Sequence, residues 1–132
     1  MGNLNLLAIV AAALATFLIG GLWYSPALFQ RAWMRANRYT ETDVAGGNMA
    51  LIFGLAFVFA LVMAFNLAMF LDAPDTTLAW GAAAGGLSSV WVALGIATVA
   101  LFERRPAAYT LINGGYWIVS LVVMGAIIGA WR

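Results

Sequence analysis

Residues 49–71, MALIFGLAFVFALVMAFNLAMFL, run for 23 positions without an Asp, Glu, Lys or Arg. At about 1.5 Å of rise per residue a helix of this length reaches about 34 Å, enough to cross the roughly 30 Å hydrocarbon core of a bilayer. A surface helix of a soluble protein is apolar along one stripe, whereas this one is apolar all round, so lipid and other apolar helices are its natural surroundings. Three more stretches of the same kind cover residues 4–23, 78–102 and 111–131, and the six basic and five acidic residues all lie between or beyond them. The predicted fold class is therefore all-α: a four-transmembrane-helix bundle forming a single integral membrane domain over residues 1–132.

Composition agrees and narrows the chemistry. The chain is 65% hydrophobic and 8% charged with a mean hydropathy of +0.98, whereas soluble domains carry about a quarter charged residues. It has no Cys, no His and no Lys. Their absence removes the commonest general base, the strongest nucleophiles and most transition-metal ligands together. The expectation is a protein that is not an enzyme, with no catalytic residues, no metal and no cofactor. The small-residue tract 11–16 lies in an apolar run with no basic segment ahead of it, so it reads as a retained membrane helix and not as a cleaved signal.

Charge distribution suggests an orientation. Arg31, Arg35 and Arg38 follow the first span and Arg104 and Arg105 follow the third, while the other side carries Asp72, Asp75 and the single Arg132. The positive-inside rule then places the first and third connections in the cytoplasm and both termini outside it.

Between the first two spans, Ser25-Pro26 reads as an N-cap followed by a first helical position. An amphipathic interfacial helix is expected over 26–38, with Trp33 as its anchor and Arg31, Arg35 and Arg38 toward anionic lipid. Thr40 to Asp43 reads as a capping-box variant that opens the helix of the second span, with acid near the positive end of its dipole. Asp72 to Asp75 and Glu103 to Pro106 make the remaining turns, Pro106 starting the last helix. Glu41, Asp43 and Glu103 are expected to pair with the nearby Arg residues.

Helices in lipid associate through close packing of small residues and a few hydrogen bonds. Ala8, Ala12, Thr16 and Gly20 recur every four residues in the first span, and Ala56, Ala60, Ala64 and Ala68 in the second. The third carries Gly81, Gly85, Ser89, Ala93 and Ala97, and the fourth Gly125 and Gly129. Gly46, Ala50 and Gly54 add a second small face to the second span. This surplus predicts association, with the Gly81 to Ala97 stripe and Gly125 and Gly129 as the association face.

Polar residues within the spans are the default place to look for a site. Asn66 lies toward the outer end of its span; Tyr24, Asn113 and Tyr116 lie toward the cytoplasmic end, near Trp23 and Ser25. Hydrogen bonding between helices is one account of them, and a continuous neutral polar track is the other. Trp91 falls deep in the third span, where its N–H needs a partner, so it is expected either packed into a glycine groove or lining a lipid-like ligand pocket. The candidate polar or ligand site is thus Trp23, Tyr24, Ser25, Asn66, Trp91, Asn113 and Tyr116.

Gly21-Leu22-Trp23-Tyr24-Ser25-Pro26, then Ala32-Trp33-Met34, Phe102-Glu103-Arg104-Arg105-Pro106 and Ile112-Asn113-Gly114-Gly115-Tyr116, occur in order along nearly the whole chain. The combination resembles a family of small bacterial membrane proteins, the domain-of-unknown-function family numbered 1761. The resemblance implies a four-helix protein of the inner membrane and carries over no activity, substrate or site. In that family a His often follows the Tyr of the last motif. Trp117 stands there in this chain, so any chemistry served by such a His is closed to it.

The sequence thus leads to a non-enzymatic, multi-pass protein of the bacterial inner membrane. It is expected to act by helix–helix association, as a homo-oligomer or as an accessory subunit of a larger membrane complex. Its partners are the lipid bilayer and a second copy or another membrane protein, with no nucleic acid. The alternatives are a small pore or facilitator for a neutral solute or an anion, and more weakly a binder of lipid or quinone-like molecules.

Overall fold

A computed structural model describes residues 4–132; residues 1–3, assigned by charge to the outer side, lie outside the described part. The helices are α1 (Leu6–Trp23), α2 (Gln30–Asn37), α3 (Glu41–Ala45), α4 (Met49–Phe70), α5 (Leu78–Phe102) and α6 (Ala107–Ala130). No strand occurs among the described residues. The helices α1, α4, α5 and α6 are each long and apolar enough to cross a membrane, so this is a multi-pass membrane protein.

The helix starts follow from local chemistry. Asn5, Asn48 and Thr77 each accept, through a side-chain oxygen, the N–H three residues on at 3.1 Å, opening α1, α4 and α5. Each bond satisfies a backbone donor that a helix start leaves without an internal partner. Pro106, at φ −64°, presets the entry into α6, which begins at Ala107, about one turn ahead of the start at 111 expected from hydropathy. Residues 107–110 are less apolar than the run that follows, which is why hydropathy alone starts the span late.

The helix expected over 26–38 is shorter, because residues 25–29 are wound as tight turns. The Ser25 hydroxyl donates to the Leu22 carbonyl at 2.6 Å, so it closes α1 and does not cap a new helix. Phe29 N–H reaches back to Trp23 O at 3.0 Å, and the regular helix begins only at Gln30. The capping box forms, Asp43 N–H donating to the Thr40 hydroxyl oxygen at 3.2 Å and Thr40 N–H to Asp43 Oδ2 at 2.8 Å, but it opens the separate short helix α3 and not the second span, which Asn48 caps. Asp43 is therefore engaged with Thr40, where an Arg partner had been expected. Ion pairs form between Arg105 and Glu103 at 3.4 Å and between Arg132 and Asp72 at 3.7 Å.

Those bonds to the Thr40 backbone and hydroxyl hold the Asp43 carboxyl below its ordinary value. A lowered folded-state pKa means that the cap contributes fully above the ordinary carboxylate range and loses its contribution as the pH falls through the lowered value. Hydrogen exchange at the Val44 amide, which bonds Thr40 O at 3.1 Å, should accelerate over that acid window beyond the intrinsic pH effect, and should not do so in Asp43→Asn.

The membrane-length helices pack in the order α5, α6, α1, α4, with α4 also touching α6 and α2 packed against α6. The α5–α6 contact is backbone on backbone. A methyl group on Gly81 would stand 2.9 Å from Gly129 Cα, one on Gly85 2.7 Å from the Leu121 carbonyl carbon, and one on Gly125 2.8 Å from the Gly81 carbonyl carbon. Ser89 is buried on the same face, and the contact continues to Ala93, whose Cβ lies 3.4 Å from where a Gly114 Cβ would be. The stripe read as an association face is thus largely covered by α6. The reason is topological: the short 103–106 turn makes α5 and α6 antiparallel neighbours, so their small faces meet each other first.

The alanine stripes are used within the chain too: Ala8, Ala12 and Thr16 of α1 and Ala60, Ala64 and Ala68 of α4 are buried. At the end of the bundle away from most of the arginines, Arg132 donates to Leu71 O at 2.8 Å and to Ala73 O, tying the end of α6 to the α4–α5 turn. Asn5 Nδ2 donates to Trp131 O at 3.2 Å, joining α1 to the same corner.

Candidate functional site

At the arginine-rich end the C-terminus of α1, the turn after it and the first half of α6 build one junction. Trp23, the last residue of α1, donates its indole N–H to Ile112 O of α6 at 2.9 Å. Its ring lies on Gly115, where a Cβ would stand 3.0 Å from the indole, and its other side meets Phe29 at 4.7 Å between centroids. Adjacent glycines serve different neighbours: Gly114 faces Ala93 of α5, and Gly115 makes the bed for Trp23.

Tyr24 donates its hydroxyl proton to Asn113 Oδ1 at 2.6 Å, and Asn113 Nδ2 donates to Tyr109 O one turn back at 2.9 Å. One turn further along α6, the Tyr116 hydroxyl donates to Thr16 O at 3.0 Å, across α1 at the level of Gly20. A Cβ on Gly20 would stand 3.1 Å from that hydroxyl oxygen and 3.3 Å from the ring. The rings continue as a chain of contacts from Tyr39 to Trp33 (5.4 Å), Tyr24 (5.9 Å), Tyr116 (5.5 Å) and Trp117 (4.9 Å). These separations suit tilted and edge-on aromatic pairs, which favour fixed geometry over sliding contact. The Arg105 guanidinium sits 5.3 Å from the Tyr109 ring centre, adding a cation–π contact at the rim.

Five of the seven candidate polar or ligand-site residues, Trp23, Tyr24, Ser25, Asn113 and Tyr116, are brought to this junction. Asn66 and Trp91 are not. Asn66 is exposed on α4, and Trp91 is 81% exposed on α5, so it neither packs into a groove nor lines a pocket of this chain. At about 100° per residue Trp91 sits about 200° round the helix from Ser89, and the Gly/Ser face has already been claimed by α6. Gly20, Gly115 and Tyr109 belong to the junction and were not singled out as site residues. The indicator was present in part, since Gly115 lies inside the last quoted motif.

The chemistry of the junction is that of a clasp. The donors of Trp23, Tyr24, Ser25, Asn113 and Tyr116 are taken up by acceptors across helices or one turn back. No group of three or more His, Cys, Asp or Glu that could hold a metal occurs among the described residues. Three deeper hydroxyls bond within their own helices, Thr16 to Ala12 O at 3.1 Å, Ser88 to Ala84 O at 2.9 Å and Ser89 to Gly86 O at 2.6 Å, while the buried Ser120 hydroxyl has no hydrogen-bond partner among the described residues.

No curated protein and no solved structure matches the chain. The family described as "Protein of unknown function (DUF1761)" matches over residues 7–129, a span that contains all four motifs and the whole junction. The chain belongs to that family.

Proposed function

We propose that this is a non-enzymatic protein of the bacterial inner membrane, with its arginine-rich end in the cytoplasm and both termini outside it. It acts by lateral association, as a homo-oligomer or as an accessory subunit of a larger membrane complex. The observation that carries this reading is the outward ridge of α4. Ala50, Gly54, Val58, Val62 and Asn66 recur every four residues and are all exposed. Its Val58, Val62 and Asn66 each lie two residues, about 200°, from the buried Ala60, Ala64 and Ala68, and the ridge winds about 40° per step round the helix toward Gly54 and Ala50. A side chain on Gly54 would meet nothing within 4 Å. The Asn66 side chain makes no hydrogen bond with any described residue, although it sits about one turn inside the end of a membrane-length helix.

A primary amide facing lipid without a partner is costly, and a neighbouring helix that hydrogen-bonds it removes the cost. Small residues further along this inclined ridge let a second helix that crosses α4 at an angle approach closely. The association face expected on α5 therefore moves to α4 in this reading. A pore is less well supported, since the Thr16, Ser88 and Ser89 hydroxyls bond to their own helices and the Ser120 side chain is buried.

The test is the mass of the complex gently extracted from its native membrane. A species larger than one protomer is expected. Asn66→Leu should weaken it roughly tenfold, the scale of one interhelical hydrogen bond in a bilayer, while Leu101→Ala on the outer side of α5 leaves it unchanged. A protomer-sized particle before and after substitution would sink the proposal.

A further inference from the structure

The arginine-rich end also carries a cleft of about 420 Å³, lined by Ala36, Arg38, Glu103, Arg104, Arg105 and Pro106. It lies where the C-terminus of α2 meets the α5–α6 turn, so it joins two basic segments that are far apart in sequence. Its lining holds three arginines and one acidic residue, Glu103, which is paired with Arg105. Neither Arg38 nor Arg104 has a side-chain partner among the described residues.

The backbone at these two arginines is unusual. Among the described residues, the only ones with left-handed φ are Arg38, at 56°, and Arg104, at 58°. This conformation costs a side-chain-bearing residue about 1–2 kcal/mol, and glycine, abundant elsewhere in this chain, occupies it freely. Both positions close helices, where glycine is the usual solution. Two long cationic side chains kept at the two places where the backbone disfavours them, and both lining one cleft, indicate that the charge itself has a use there.

We propose that this cleft binds an anionic phosphate group, carried by a phospholipid of the adjoining leaflet. Arg38 and Arg104 supply the charge-assisted donors that match phosphate oxygens. Membrane position selects the lipid as the source. The cleft lies just past the end of α5, and the last two residues of that helix, Leu101 and Phe102, are 78% and 86% exposed, ready to lie against acyl chains. The start of α6 at Pro106, which has no side-chain cap, adds a modest favourable field at the rim. The inference does not depend on the α4 ridge, and either can fail alone.

The experiment reads lipid retained by the full-length protein after reconstitution in phosphatidylcholine vesicles doped with phosphatidylglycerol, by native mass spectrometry. Arg38→Gly/Arg104→Gly removes two charges while relaxing the backbone, and it is compared with Arg31→Gln/Arg35→Gln, which removes two exposed charges of α2 outside the cleft. Retained phosphatidylglycerol should fall roughly 100-fold in the first variant, about tenfold for the charge-assisted hydrogen bonding of each arginine, with thermal stability unchanged or raised. The second variant should retain nearly all of it. Equal losses in the two variants would mean only diffuse attraction to a charged surface, and no loss in the first would remove the site. Inorganic phosphate bound by the lipid-free protein and lost in Arg38→Gly/Arg104→Gly, with no phosphatidylglycerol retained by the unsubstituted protein, would make the ligand a free anion and overturn the lipid assignment.

Discussion

Gly85→Ala is expected to unseat α5 from α6 and to cost about 3 kcal/mol, at the upper end of what overpacking normally costs. The added methyl group would meet the Leu121 carbonyl, 2.7 Å from its carbon and closer to its oxygen, with Val122 Cα 3.3 Å away. All three atoms are backbone, so no side chain can turn aside and the helices themselves must separate. Separation is expensive here because lipid is as apolar as the helix surface, and the close contact is what favours the paired state. Nor can the loss stay local, since Gly81, Gly125 and Gly129 approach the same seam equally closely. Equilibrium unfolding in mixed micelles of increasing dodecyl sulfate content measures it. Gly95→Ala is the control: its methyl group would meet nothing within 4 Å, and better helix propensity should leave it neutral or slightly more stable. Equal stability of the two variants would contradict a backbone-on-backbone seam.

The second large effect is expected at Trp23. Trp23→Ala removes the indole bond to Ile112 O, empties the bed over Gly115 and deprives Phe29 of its ring partner, a loss of about 2–3 kcal/mol for a half-buried Trp. Its consequence should be directional. The α1–α6 contact lower in the bundle keeps its alanines and the Tyr116 to Thr16 bond, while the 25–29 turn loses its footing, so α2 should detach first. Hydrogen exchange would show this as loss of protection across Gln30–Asn37 ahead of α1. Trp23→Phe, which keeps part of the ring and loses only the donor, should cost less than half as much. Uniform loss of protection along all helices would mean that the clasp is not a local device.

The span positions were legible because hydropathy and length decide them: 78–102 coincides with α5, and 49–71 differs from α4 by one residue. The junction was legible for a different reason, since motif residues at the end of α1 and the start of α6 had to fall at the same depth once the helices were antiparallel. What hydropathy could not provide was the rotation of each helix. In a soluble bundle polar residues mark the outer face, but α4 and α5 are apolar all round. Trp91 and Asn66 therefore looked equally able to face inward. Their outward positions follow from which small faces found each other first, a property of pairs of helices. The cleft of Arg38 and Arg104 was hidden for the same reason, because its halves are brought together only by the packing of α2 against α6.

The order of packing has a consequence for biosynthesis. The helix α6 lies between α5 and α1 and receives Trp23, Tyr24 and the glycines of α5, yet it is made after all of them. Until it enters the bilayer, α1 and α4 can pair through their alanines, while α5 stands with a bare glycine face and the indole of Trp23 has no acceptor. At ribosomal rates of about 5–20 residues per second, the 24 residues of α6 keep the bundle open for about 1–5 s. During that interval the nascent protein presents to the membrane-insertion machinery the very surfaces that the finished protein hides.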